Sequence, residues 1–363
     1  MFPLYKLCCE REPASPTGAE NCVGTARLAH RADGVVAVRT DWPSSLPAVQ
    51  GMASTLGQRI DQFLRDHGKG VDAVLVLRHG CLVYETYSDP YDVDTPHILN
   101  SCTKSFLSTL AGIAVDRGYV PSVDWPIWRY FPNSLPSSDD SRKSRITVKH
   151  LLTMSSGIDW PQYGRDNISD RMVVSPNWVE FILSQPMAAE PGTVTNYSNG
   201  DSHLVAAILR RATKQDLLDF ATTELFTLLG ITEVRWDRDP QGLNIGSATL
   251  YLRPRDMAKL GQLVLNDGEW RGRQLVSTDW IRAATARQTM MPSVQLTDYG
   301  YFWWLYPDQG RIEAWGGSGQ RIAVFPHADL VIVITSTSDD DTPRSAIADA
   351  IYTQVLDAIS SPH

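Results

Sequence analysis

What this chain lacks narrows its identity. It has no apolar run near the ~20 residues that a membrane-crossing helix needs; its cleanest stretches, such as Leu330–Ile334, are far shorter. No membrane partnership is expected. Lys and Arg total 33 against 41 Asp and Glu, a formal net charge of −8. That deficit of basic residues argues against nucleic acid as a partner, because phosphate binding needs a basic surface. The five Cys are odd in number and form no C-x-x-C pair, so neither a disulfide framework nor a zinc site is expected. The eight His miss the H-E-x-x-H pattern. No metal and no other cofactor is called for. Met1 to Cys9 holds no apolar run of the ~7–15 residues that a secretory signal requires, so the expected location is cytoplasmic. No internal repeat or low-complexity block stands out.

What is present is a globular composition, with 43% hydrophobic and 20% charged residues. The 363 residues suggest two domains, or one with a large insertion. Residues 1–45 read as an N-terminal arm, and Arg11–Gly24 is rich in Pro, Gly, Ala and acidic residues. Val49 to about His67 has a weak helical periodicity that stops at Gly68. Val71–Arg78 and Cys81–Tyr87 read as a hairpin across His79-Gly80. Arg311–Trp315, Arg321–Phe325 and Leu330–Thr335 read as three further strands, followed by a closing helix over Ala346–Ile359. The middle is mostly helix and loop, with joints at Pro121, Pro126, Pro132, Pro136 and Pro186. The expected fold class is α/β (α+β). A discontinuous domain, 46–119 and 246–363, carries an antiparallel sheet flanked by helices, and 120–245 is an inserted, mostly helical domain.

Ser101–Arg117 is the most telling helix. Its apolar positions cover most of the circumference, which predicts burial between layers, and Gly118 ends it. Ser101 and Lys104 open it at i, i+3, one turn apart on one face. A serine hydroxyl is a weak nucleophile until a base takes its proton. Lysine is that base only when neutral, and its ordinary pKa is ~10.4. Burial and the positive end of the helix dipole both disfavour the ammonium. The plain alternative is a capping Ser and a solvated first-turn Lys.

Two further stretches bear on this choice. Tyr197-Ser198-Asn199 ends a Pro/Gly loop just before a helical run over Leu204–Arg211. A phenol beside a lysine can be held ionised or share its proton, so Tyr197 is a candidate base for Ser101 and acid for a leaving group. An aromatic plug with capping neighbours is the alternative there. Trp315-Gly316-Gly317-Ser318-Gly319-Gln320 lies between two predicted strands, where glycines permit close approach. The Ser318 N–H is a candidate oxyanion donor opposite that of Ser101. The stretch is no G-x-S-x-G elbow, because Gln320 stands where the last Gly belongs.

Ser101-Cys102-Thr103-Lys104, Tyr197-Ser198-Asn199 and Trp315-Gly316-Gly317, in that order, resemble the motifs of the serine β-lactamase and penicillin-binding-protein superfamily. The Y-S-N form looks like its class C branch. The pattern is similar to the 6-aminohexanoate-dimer hydrolases and the family VIII-type carboxylesterases. Flanking stretches Thr147–Gly157, Tyr251–Asp267 and Leu330–Thr335 also look familial, so the resemblance spans about Val74 to Ile359. It implies a β-lactamase-like fold and a serine hydrolase that cleaves a small-molecule ester or amide through an acyl-enzyme on Ser101. Lys104 and Tyr197 would form the base system. Asn199 would orient substrate or Lys104, and Gly317 and Ser318 would belong to the oxyanion side. Tyr163, on the loop after Met154-Ser155-Ser156-Gly157, would assist a leaving amine. Trp315 departs from the β-lactamase pattern, which has Lys there; Arg311 and Arg321 are candidates for a replacement charge.

An acyltransferase on the same machinery and a β-lactam-hydrolysing or β-lactam-binding protein remain alternatives. Cys102 is expected to be a small buried filler. Of the eleven Trp, Trp42, Trp125, Trp128, Trp178, Trp236, Trp270 and Trp280 are expected in packing. Trp160, Trp303, Trp304 and Trp315 are expected near the cleft. Oligomeric state is left open.

Overall fold

Runs of β-branched residues at both ends of the chain must find partners, and they find each other. The computed structural model describes residues 42–133, 140–164, 166–291, 297–337 and 344–360. The stretch 1–41, with Cys8, Cys9 and Cys22, and Pro136 lie outside the described residues. Within them, eight strands form one antiparallel sheet: β1 (Val71–Arg78), β2 (Cys81–Tyr87), β3 (Thr289–Met291), β4 (Thr297–Tyr299), β5 (Trp304–Tyr306), β6 (Arg311–Gly316), β7 (Gln320–Phe325) and β8 (Leu330–Ser336). The order across the sheet is β2-β1-β8-β7-β6-β5-β4-β3. The C-terminal strand β8 therefore pairs with the N-terminal β1, with Val76 opposite Ile332.

Side-chain alternation sorts this sheet into two cores. Ala73, Leu75, Leu77, Ile322, Val324, Val331 and Val333 face helices α2 (Thr103–Asp116) and α4 (Pro254–Leu265). Val74, Val76, Ala323, Phe325, Ile332 and Ile334 face α1 (Leu56–His67) and α5 (Arg344–Ser360). α3 (Asn199–Thr213) packs on α2 from the helical stretch. Almost every α2 residue is buried, as its all-round apolar pattern predicts. No helix among the described residues is long and apolar enough to cross a membrane.

The structure departs from the sequence reading at helix ends. The helix expected from Val49 is broken at Gly51, whose φ of +68° follows a short turn over Pro47–Gln50; α1 begins only at Leu56. α3 starts at Asn199 instead of near Leu204, because the Ser198 side chain caps it by accepting from the Asp201 N–H at 2.9 Å. Trp42 is buried edge-on against Trp270, and its indole N–H donates to the Arg255 carbonyl at 3.0 Å. Trp178, Trp236 and Trp280 are buried as expected, whereas Trp125 and Trp128 are half-buried, with the Arg129 guanidinium over both rings.

Arg311 and Arg321 line a small pocket with Trp304 and Trp315, and both are paired with a buried carboxylate there. Both pair with buried Glu313, at 3.3 and 2.9 Å, on the sheet face that meets α5; Arg311 also bonds Asp349 at 2.7 Å, and the Tyr352 hydroxyl donates to Glu313 at 3.0 Å. Removing one partner from a buried ionic cluster strands the others without water. Glu313→Ala is expected to destabilise the fold by about 3–5 kcal/mol in urea unfolding. A loss below about 1 kcal/mol would show that this cluster is not structural.

Candidate active site

Ser101 sits on a strained turn. The segment Asn100–Cys102 is a 3₁₀ turn leading into α2, and Asn100 has a left-handed φ of +46°, a region Asn tolerates better than most residues. The expectation that Ser101 lies in the first α-helical turn is corrected accordingly; its i, i+3 relation to Lys104 is kept. Both neighbours of Ser101 clasp the β6–β7 turn. Asn100 Nδ2 donates to the Gly317 carbonyl at 2.8 Å, and the Cys102 thiol donates to the Ala314 and Gln320 carbonyls at 3.4 and 3.5 Å. Cys102 is thus a buried clasp, and burial pushes its thiol pKa up, away from reactivity. Gly316 permits the approach: a Cβ there would stand 2.3 Å from the Leu99 carbonyl oxygen. Beyond it Ser318 takes a left-handed φ of +62°. The turn holding Gly317 and Ser318 therefore lies against the segment holding Ser101.

Lys104 is buried, 1% exposed, and its Nζ meets three oxygens. Ser101 Oγ is 2.9 Å away, Asn199 Oδ1 2.9 Å and the Ser247 carbonyl 2.8 Å. Burial holds the Lys104 pKa well below the usual lysine range, with the Cys102 thiol a smaller opposing influence. The chemistry follows from counting protons. A neutral amine has two hydrogens and one lone pair. Asn199 Oδ1 and the Ser247 carbonyl can only accept, so they take both hydrogens. In the neutral amine the lone pair is left for Ser101, whose hydroxyl then donates to Nζ; in the ammonium the third N–H donates to Ser101 Oγ.

Tyr197 is also buried. Lys104 Nζ lies 4.9 Å from its ring centroid, over the face. Burial pushes the Tyr197 pKa far up, and the Tyr163 phenol adds to this; a hydrogen bond with Ser101 pulls the other way. These surroundings favour the neutral phenol, a proton donor, over the ionised form considered from sequence. Tyr163, 42% exposed, stacks on Tyr197 at 6.2 Å between centroids. Tyr197 also stacks on Trp304 at 5.9 Å, and Trp304 meets Trp315 edge-on at 5.1 Å. Arg321 lies over Trp315 at 4.9 Å while held by Glu313. Four aromatic rings thus form a continuous series that meets Ser101 and Lys104 at Tyr197. Trp303 is buried.

Two contributors were not legible in sequence. Ser247 acts through its main chain, which leaves no residue signature. Gln162 is buried, and its Oε1 accepts from Trp160 Nε1 at 2.9 Å, the Asn199 N–H at 3.0 Å and Ser169 Oγ at 3.2 Å. It fixes the start of α3 and hence Asn199. A polar residue two places after Trp160, on the loop that carries Tyr163, was the only available hint.

A model of the beta-lactamase family matches residues 56–356. The 6-aminohexanoate-dimer hydrolase of Paenarthrobacter ureafaciens is 26% identical over 302 residues, covering 75% of this chain and 74% of that protein. Esterase EstB of Burkholderia gladioli is 28% identical over 185 residues, covering 46% of this chain and 47% of that protein. The crystal structure of a family VIII carboxylesterase superposes with a TM-score of 0.66 at 16% identity, covering 84% of this chain and 99% of that one. That last likeness is one of fold.

A titration tests the burial of this region. Asp201, at the start of α3, accepts from Ser156 Oγ at 2.8 Å while its Oδ2 is buried without a hydrogen-bond partner. Burial pushes its pKa up to about 7, against ~3.9 in an unfolded chain. The folded state therefore holds this proton more tightly. The resulting stabilisation is full below about pH 4 and is lost as the pH rises towards about 7, by an amount on the order of 4 kcal/mol. Asp201→Asn is expected to flatten this decline in denaturant unfolding measured from pH 4 to 8. An unchanged slope would place the carboxyl in water.

Proposed function

The chain belongs to the beta-lactamase family, and on that premise we propose that it is a serine hydrolase acting on a small-molecule ester or amide through an acyl-enzyme on Ser101. The observation that carries this reading is the oxygen set around Lys104 Nζ, two acceptors and one hydroxyl. Lys104 is then the general base. It takes the Ser101 proton as Oγ attacks the substrate carbonyl carbon. The oxyanion that forms is held by the N–H groups of Ser101 and Ser318, a role supported by the bond from Asn100 to the Gly317 carbonyl that ties their two segments together. Tyr197 donates its phenolic proton to the departing alcohol or amine, and the Lys104 ammonium restores that proton. Water attacks the acyl-enzyme by the same route in reverse and releases the acid.

Trp315 supports ester or amide over β-lactam. The family's β-lactamases carry a lysine there that helps bind a substrate carboxylate, whereas this chain has an indole in an aromatic series. Arg311 and Arg321 do not replace that charge, since both are held by Glu313. Tyr163 stands at the end of the same series and is proposed to line the leaving-group side. The names of the relatives, an amide hydrolase and an esterase, agree with this substrate class. The residues involved come from 46–119, 120–245 and 246–363, in keeping with a cleft between a discontinuous α/β domain and an inserted helical one.

A fluorophosphonate is expected to add its mass to Ser101 in the wild-type protein and to leave Ser101→Ala unmodified. Labelling that survives Ser101→Ala overturns the assignment. Lys104→Met is expected to lower kcat/KM for p-nitrophenyl esters by roughly 10²–10⁴-fold. In the wild type kcat/KM rises with pH as Lys104 loses its proton, and the plateau is reached below the ~10.4 of a free lysine. Parallel assays with nitrocefin and short ω-amino amides separate lactam, ester and amide preference.

A further inference from the structure

The Ser247 carbonyl takes one of the two Lys104 hydrogens, yet it lies on an irregular segment with no helix or strand to hold it. Something else must fix it. The segment 237–246 is gathered around the Asp239 carboxylate, whose Oδ1 accepts from the Gln241 and Leu243 N–H groups, both at 2.8 Å. Its Oδ2 lies 3.1 Å from Nε2 of His203. Both side chains are fully buried. On the other edge of the imidazole, Nδ1 lies 3.4 Å from the main-chain nitrogen of Gly246, the residue before Ser247.

These partners dictate the tautomer. The Gly246 N–H can only donate, so Nδ1 accepts, and the ring proton sits on Nε2 and points at Asp239. Gly246 itself is pressed onto α3, where a Cβ would stand 2.4 Å from the Ser202 carbonyl oxygen. His203 is also one helical turn beyond Asn199, at i, i+4, on the same face of α3. One helix face therefore presents both controls on the Lys104 amine: Asn199 directly, and the Ser247 carbonyl through His203 and Gly246.

We propose that His203 is a positioning residue for the Ser101 acylation step, holding the Ser247 carbonyl in place through its Nδ1 bond to the Gly246 N–H, with Asp239 fixing the ring's tautomer. The proposal rests on the reading of Ser101 as nucleophile and Lys104 as base. Ile245 is held by Trp236 and Asp237, so without the imidazole acceptor it is the main chain from Gly246 to Ser247 that shifts from Lys104, and water takes its place. The amine then loses the direction of its lone pair, and its rehydrated ammonium form becomes easier to reach.

The test uses the full chain and p-nitrophenyl acetate across pH. In His203→Gln the amide N–H still reaches Asp239, but no acceptor remains at the Nδ1 position. Its kcat/KM is expected to fall about tenfold or more, with KM little changed, and its acid limb to move up by about one pH unit. His203→Asn puts an oxygen near the Nδ1 position and is expected to restore most of the rate and the wild-type limb. Tyr197 and Cys102 are the titratable groups facing Lys104, and neither substitution alters them. A purely structural role lowers the plateau through lost folded protein and leaves the limb in place; a limb that stays fixed in His203→Gln, or moves down, overturns the proposal. If His203→Gln does not fold, His203→Leu, which also leaves no acceptor at the Nδ1 position, is read in its stead: a limb displaced upward supports the proposal and a fixed one overturns it. Fluorophosphonate labelling of the wild type runs alongside. Its absence there would count against the Ser101 reading, whereas normal labelling with unaltered His203 variants counts against His203 alone.

Discussion

Everything in this cleft depends on one buried amine. Lys104 has been taken out of water, and burial is the largest influence on its proton affinity. An ammonium so placed is costly unless fully paired. Here the surroundings offer two pure acceptors and a hydroxyl, which suits a neutral amine with its lone pair turned towards Ser101. The three oxygens come from three distant parts of the chain, so the fold must be complete before the amine is organised. The site is accordingly supported in depth, with Gln162 behind Asn199 and the Asp239–His203–Gly246 chain behind Ser247.

A second constraint aligns Ser101 with the turn that holds Ser318, the proposed oxyanion side. Asn100 and Cys102 flank Ser101 and both hydrogen-bond to the backbone around the β6–β7 turn. Left-handed backbone at Asn100 and Ser318 is held by these bonds. Such strain, on the order of 1–3 kcal/mol at each position, persists where neighbouring structure over-determines it, as it does at many active sites. Gly316 completes the contact because no side chain fits against the Leu99 carbonyl.

The aromatic series from Tyr163 through Tyr197 and Trp304 to Trp315 gives the cleft its character. Its rings exclude water from the phenol that would protonate a leaving group, and the same burial keeps that phenol neutral. Where the family's β-lactamases place a cation, this chain places an indole backed by an arginine already held by Glu313. The indole and the paired arginine behind it thus belong to one local arrangement. Trp304 was expected near the cleft from sequence, but its role as the ring joining Tyr197 to Trp315 emerges only from the packing.

Much of this was legible in the residues. Strand and helix identities follow from periodicity, and β1, β2, β6, β7 and β8 match their sequence-predicted ranges to within a residue. The S-x-x-K spacing puts Ser101 and Lys104 one turn apart on one face, since residues i and i+3 are neighbours both in a 3₁₀ turn and in an α-helix. Sequence could not reveal the Ser247 carbonyl, since any residue supplies a carbonyl and this one lies far along the chain from Lys104. Nor could it assign Arg311 and Arg321, whose long side chains go wherever a buried carboxylate draws them, and Glu313 looks like any other acidic residue until its burial is known. The start of α3 was misread for a local reason: Asn199 and Gly200 are poor helix formers, and the Ser198 cap and tertiary burial outweigh that preference. By itself, then, the sequence determined which groups are proposed for the chemistry, through short-range spacing and residue type. The tertiary structure decided which way their proton affinities are pushed, because burial and hydrogen-bond partners are properties of what surrounds an atom and not of the residue that carries it.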